Sequence, residues 1–86
     1  MTAREMFEKL GYMHFDHGTS VLYVNDSDDD EEIKSIKFDC MEFTFDVLTN
    51  YNESFRVDLA LFDAIQEQMR EWRWIWWQQK KNTKRH

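Results

Sequence analysis

Ile33-Lys34-Ser35-Ile36-Lys37-Phe38-Asp39-Cys40-Met41-Glu42-Phe43-Thr44-Phe45-Asp46-Val47-Leu48-Thr49 decides the fold. Ile36, Phe38 and Cys40 fall on one face of an extended chain, and Ser35, Lys37 and Asp39 on the other. The pattern then repeats: Phe43, Phe45 and Val47 oppose Glu42, Thr44 and Asp46. Two alternating runs separated only by Met41-Glu42 read as antiparallel strands joined by a tight turn, because a parallel crossover needs a much longer connection.

Working outward, Ser20 to Asn25 (with Val21, Leu22, Tyr23 and Val24) is rich in strand formers. Tyr12 to Asp16 alternates in part, and His17-Gly18 is a turn between them. Asn50 to Glu53 reads as a loop, and Phe55-Arg56-Val57 as a short edge strand. Helices flank this block. Thr2-Ala3-Arg4-Glu5 is a capping box, Ala3, Met6, Phe7 and Leu10 recur at helical spacing, and Gly11 stands where a left-handed residue ends a helix. Asp58 is the expected N-cap of a final helix from Leu59 to about Gln79. Its stripe is Phe62, Ile65, Met69, Trp72 and Trp76, widened by Leu61. The expectation is an α+β fold of two layers: an N-terminal helix, a sheet of three or four antiparallel strands, and a C-terminal helix. Residues 1–79 form the single domain and residues 80–86 a frayed basic tail.

Eighty-six residues make one domain with a small core, about 60–65% of the unfolded surface being buried at this size. Aromatic residues at 16% compensate, since each buries about 150–250 Å². A single cysteine, Cys40, excludes an internal disulfide and a multi-cysteine zinc site, and reads as a small buried hydrophobe. With neither a signal-like N-terminus nor a long apolar run, a cytoplasmic protein that does not enter a membrane is the simplest expectation.

The net charge of −6 is unevenly spread. Residues 1–69 carry five Lys and Arg against sixteen Asp and Glu, a balance of −11. Residues 70–86 carry six against one, a balance of +5. An acidic body repels phosphates and suits basic partners, among them the nucleic-acid grooves of other proteins. The acid peaks in Asp26-Ser27-Asp28-Asp29-Asp30-Glu31-Glu32, an exposed connection that can imitate phosphates or simply stay solvated. A calcium loop fits poorly: Asp26, Asp28 and Asp30 match, but Glu31 stands where Gly is needed and Lys37 where a bidentate Glu is needed.

Chemistry is otherwise thin. His14 and His17 face opposite ways on an extended chain, without a third ligand close by. Asp16, His17 and Ser20 assemble a triad only on paper, without a nucleophile elbow. The expectation is no enzyme, no metal and no cofactor.

All four tryptophans lie in Trp72-Arg73-Trp74-Ile75-Trp76-Trp77. If the helix continues, Trp72 and Trp76 finish the core. Trp74 then projects about 160° away at 100° per residue, and Trp77 lies on a flank. Trp74 and Trp77, with Arg70, Arg73, Lys80 and Lys81 around them, form a second candidate surface of a composition enriched in binding hot spots.

The segment Thr2-Ala3-Arg4-Glu5-Met6-Phe7-Glu8-Lys9-Leu10-Gly11-Tyr12 resembles a group of small uncharacterised phage and prophage proteins of low-GC Gram-positive bacteria. Ile36-Lys37-Phe38-Asp39 and Ile65-Gln66-Glu67-Gln68-Met69-Arg70-Glu71-Trp72 look like that group's central strand and closing helix. The likeness implies a mobile-element origin, carries over no site residues, and stops after Trp72.

Three functions remain in play. The first is a non-enzymatic, phage-encoded binding protein that inhibits a basic, nucleic-acid-handling host protein, anti-CRISPR in type. It would act through Asp26, Asp28, Asp29, Asp30, Glu31 and Glu32, with Trp74 and Trp77 as a second surface. The second is a structural or assembly accessory, homo-oligomeric through the final helix. The third is single-stranded nucleic-acid binding by the basic aromatic tail, disfavoured by the acidic body.

Overall fold

Thr2 opens α1 (Ala3–Lys9) with the complete capping box. Its hydroxyl accepts from the Glu5 N–H at 3.2 Å, and the Glu5 carboxylate accepts from the Thr2 N–H at 2.8 Å. The Thr2 N–H, with the Thr2 hydroxyl adding to it, holds the Glu5 carboxyl below its ordinary pKa. At the other end Gly11 takes φ +94°. The Gly11 N–H donates to Glu8 O and the Tyr12 N–H to Phe7 O, both at 3.0 Å, which is a Schellman ending.

Four strands follow in a simple meander: β1 (Met13–Asp16), β2 (Ser20–Asn25), β3 (Lys34–Asp39) and β4 (Thr44–Thr49). Their order across the sheet is that of the chain, and every neighbouring pair is antiparallel. α2 (Leu59–Glu71) closes the α+β fold. The computed structural model describes residues 1–26 and 32–74. Residues 75–79 of the expected domain, Trp77 with them, and the tail 80–86 lie outside that set.

Register explains the core. Tyr23 pairs with Ile36 and Val21 with Phe38, so all four stand on the face that the helices cover, and all four are buried. Phe7 of α1 stacks on Tyr23 at 3.8 Å between ring centroids and meets Phe38 edge-on at 6.3 Å. Burying an aromatic ring of this size stabilises by about 1.5–3 kcal/mol. Leu61, Ala64, Ile65 and Gln68 complete the layer from α2. The opposite face carries Met13, Phe15 and Leu48, all exposed, with Leu22 and Val24 half-buried, and among the described residues no helix lies over it.

Four expectations need correction. The α2 stripe is turned toward Leu61 and Gln68, leaving Phe62 exposed at 42%. Phe55-Arg56-Val57 is not a strand but part of an irregular crossing to α2. Phe43 is not in β4. The Asp39 carboxylate accepts from the Met41 and Glu42 N–H groups at 2.9 and 3.0 Å, which widens the turn to residues 40–43. Phe43 sits in its left-handed position at φ +58°. Finally, α2 does not run to Gln79, for reasons set out with the tryptophans below.

Candidate functional site

The described parts of the two surfaces expected from sequence, Asp26 and Glu32 of one and Trp74 of the other, lie at opposite ends of the sheet. The acidic connection leaves β2 at Asn25 and enters β3 at Lys34, and these two residues are paired. Beside them are the C-terminal end of α1, through Asn25 Nδ2 donating to Leu10 O at 3.3 Å, and Asn50, whose Oδ1 accepts from the Ile33 N–H at 2.9 Å. The six carboxylates from Asp26 to Glu32 are therefore carried on one short connection with both ends fixed. Asp26 is exposed and Glu32 half-buried. Asp28, Asp29, Asp30 and Glu31 lie outside the described residues.

A recess of about 160 Å³ opens under this end, lined by Tyr12, Asn25, Lys34, Phe55 and Arg56 among others. Lys34 Nζ stands 5.6 Å from the Phe55 ring centroid, a cation–π distance. Burial, with Asp58 adding to it, pushes the Tyr12 phenol up to about 12, so it stays neutral and works as a packing ring.

The tryptophan end is built by the termination of α2. Trp72 is its C-cap, and Arg73 follows at φ +64°. The Arg73 N–H donates to Arg70 O at 3.0 Å and the Trp74 N–H to Met69 O at 2.8 Å. This is the Schellman pattern of α1 again, with Arg where α1 has Gly. The reversal swings Trp74 back onto the sheet, which overturns the far-side placement expected of it. Its ring meets Phe38 at 6.1 Å, Phe43 at 5.5 Å and Trp72 at 5.2 Å. Trp72 packs edge-on to Phe38 at 5.3 Å, the core role expected. Phe43, Trp72, Arg73 and Trp74 line a shallow recess of about 340 Å³.

Two of its four lining residues, Phe43 and Arg73, hold left-handed backbone. For residues with a Cβ this costs roughly 1–2 kcal/mol each. Packing of Trp74 against Phe38, Phe43 and Trp72 works against that cost. Sequence patterning assigned Phe43 to a strand and Arg73 to a helix, and so missed the recess.

The chemistry weighed on paper does not assemble. The Asp16 carboxylate accepts from the Gly18 N–H at 2.8 Å and Ser20 O from the His17 N–H at 2.9 Å, so the would-be triad is a turn. His14 lies edge-on to Tyr23 at 5.2 Å. Among the described residues no group of His, Cys, Asp or Glu is placed to hold a metal ion, and no helix is long and apolar enough to cross a membrane. Cys40 is half-buried rather than buried; its partial burial, with Asp39 and Asp16 nearby, pushes the thiol up and away from thiolate reactivity.

A residue that patterning missed is Gln68. It is only 5% exposed, and its Oε1 accepts from the Tyr23 hydroxyl at 2.5 Å. A tyrosine buried at the middle of the sheet needs such a partner. Comparison with known proteins adds no relative: no family model, no curated protein and no solved structure matches this chain.

Proposed function

We propose that this chain is a non-enzymatic binding protein that blocks a basic, nucleic-acid-binding surface of a protein partner. The observation that carries the reading is the placement of six carboxylates between the paired residues Asn25 and Lys34. The connection is tethered at the paired residues Asn25 and Lys34, and its charge competes for Lys and Arg that otherwise hold phosphates. A host nuclease of the CRISPR type, inhibited by a phage- or prophage-encoded protein, is the kind of target that fits. The likeness of Thr2–Tyr12 to small phage proteins supports that setting.

Displacement of a fluorescent oligonucleotide from a candidate nuclease, followed over a range of salt, tests this. Replacing Asp26, Asp28, Asp29 and Asp30 with Asn and Glu31 and Glu32 with Gln should slow association at least tenfold and flatten its salt dependence. Unchanged displacement by the neutralised chain would sink the charge-mimicry reading. Self-association through the final helix is the second reading, and Trp74, half-buried against Phe38, Phe43 and Trp72, offers it less surface than an outward-facing tryptophan would.

A further inference from the structure

β4 is the last strand of the sheet, and among the described residues no strand pairs with its outer edge. The ladder decides which backbone groups face outward. The Asn50 N–H bonds inward to Ile33 O at 3.0 Å, whereas the Thr49 N–H turns outward to Glu53 O at 2.8 Å. By the alternation of an antiparallel ladder, the N–H and C=O groups of Phe45 and Val47 also point outward. Such groups are a template for another strand.

Two devices that often blunt an edge, lysine or proline in the strand and a very short strand, are missing from β4. Between Glu42 and Ser54 there is no Lys, Arg or Pro, and β4 at six residues is as long as β2 and β3. Its charges are all of one sign: Glu42, Asp46 and Glu53, each exposed. Lys37 stands across the ladder from Asp46 without closing an ion pair. Both faces of the edge offer apolar footing. Phe45, 37% exposed, lies on the helix side near the Phe43–Trp74 recess, and Leu48, 39% exposed, on the other side.

We infer that β4 accepts an extended, lysine- or arginine-bearing segment of a protein partner, which adds to the sheet as a fifth strand. Backbone hydrogen bonds to Phe45 and Val47 supply affinity, and alternate side chains supply choice. Apolar residues of the incoming strand fall on the helix side beside Phe45. Basic residues fall on the open side beside Asp46. A second copy of this chain fits less well, because self-pairing brings the same carboxylates toward one another. The site shares no residue with the acidic connection and stands apart from the function proposed above.

Amide exchange by NMR on the full chain tests it, with two synthetic hexapeptides as probes, one alternating Val and Lys and one alternating Val and Glu. The Lys peptide should slow exchange at Phe45 and Val47 at least tenfold, and the Glu peptide should not. Val47→Pro removes an outward N–H and no ladder bond, so it should keep the fold and lose the protection. Asp46→Lys leaves the strand intact and should reverse the preference between the peptides. Equal response to both peptides, protection that maps to β1 instead, or dimerisation of the chain with no peptide effect would each overturn the inference.

Discussion

Gln68 and Tyr23 show how one polar pair fixes the fit of a helix to a sheet. The Tyr23 ring is 1% exposed and stacked on Phe7, with its hydroxyl reaching α2. Burial pushes the phenol up to about 12, the carboxylate of Glu71 adding to the effect, so it remains a donor at any ordinary pH. Gln68→Leu should leave that donor buried and unpaired, costing about 1–3 kcal/mol in urea unfolding. Adding Tyr23→Phe to the same chain should recover most of the loss, since both partners are then apolar. A loss under about 0.5 kcal/mol for the single change would show that the bond contributes little. Patterning by hydropathy could not place Gln68 in the core, because the reason for its burial lies on a strand 45 residues away.

Element boundaries show the same division between local and distant causes. Both helix starts were legible, because Thr2 and Asp58 cap with their own side chains. The Asp58 carboxylate accepts from the Leu61 N–H at 2.9 Å, as the cap requires. The end of α1 was legible too, through Gly11. The end of α2 was not: no Gly or Pro follows Glu71, and a run of tryptophans looks like more helix. What stops it is tertiary, the docking of Trp74 on Phe38 and Phe43. Arg73→Gly should therefore stabilise the protein by about 1 kcal/mol, since glycine takes left-handed backbone without strain. For a domain of this size that is roughly 4–8 °C in thermal midpoint by calorimetry. An unchanged or lower midpoint would mean that the Arg73 side chain contributes more than its backbone costs. The strand order was readable from short connections, whereas the start of β4 depended on the Asp39 side chain and escaped the alternation.

At the scale of the whole molecule, charge and topology act together. The acidic character of residues 26–32 was plain in the sequence. The separation of its two anchors, Asn25 and Lys34, from Trp72 and Trp74 was not, because only the meander sets the β2–β3 connection and the β3–β4 turn at opposite ends. One further feature links the two helices. The buried Ala3 N–H, in the first turn of α1, donates to a Glu71 carboxylate oxygen at 2.7 Å, in the last turn of α2. The first turn of α1 and the last turn of α2 are thus neighbours, and the order of elements around the described body matters more than the point of entry. A circular permutant that joins Trp74 to Thr2 by a short Gly-Ser bridge, and opens the chain at Asp29, should fold to the same structure. Its stability by urea unfolding should lie within about 2 kcal/mol of the parent. Failure to fold would mean that the β2–β3 connection organises the sheet rather than merely crossing between strands. If the permutant does fold, the six carboxylates would be shared between two free ends, and electrostatic attraction of a partner could be separated from the shape of the segment that delivers it.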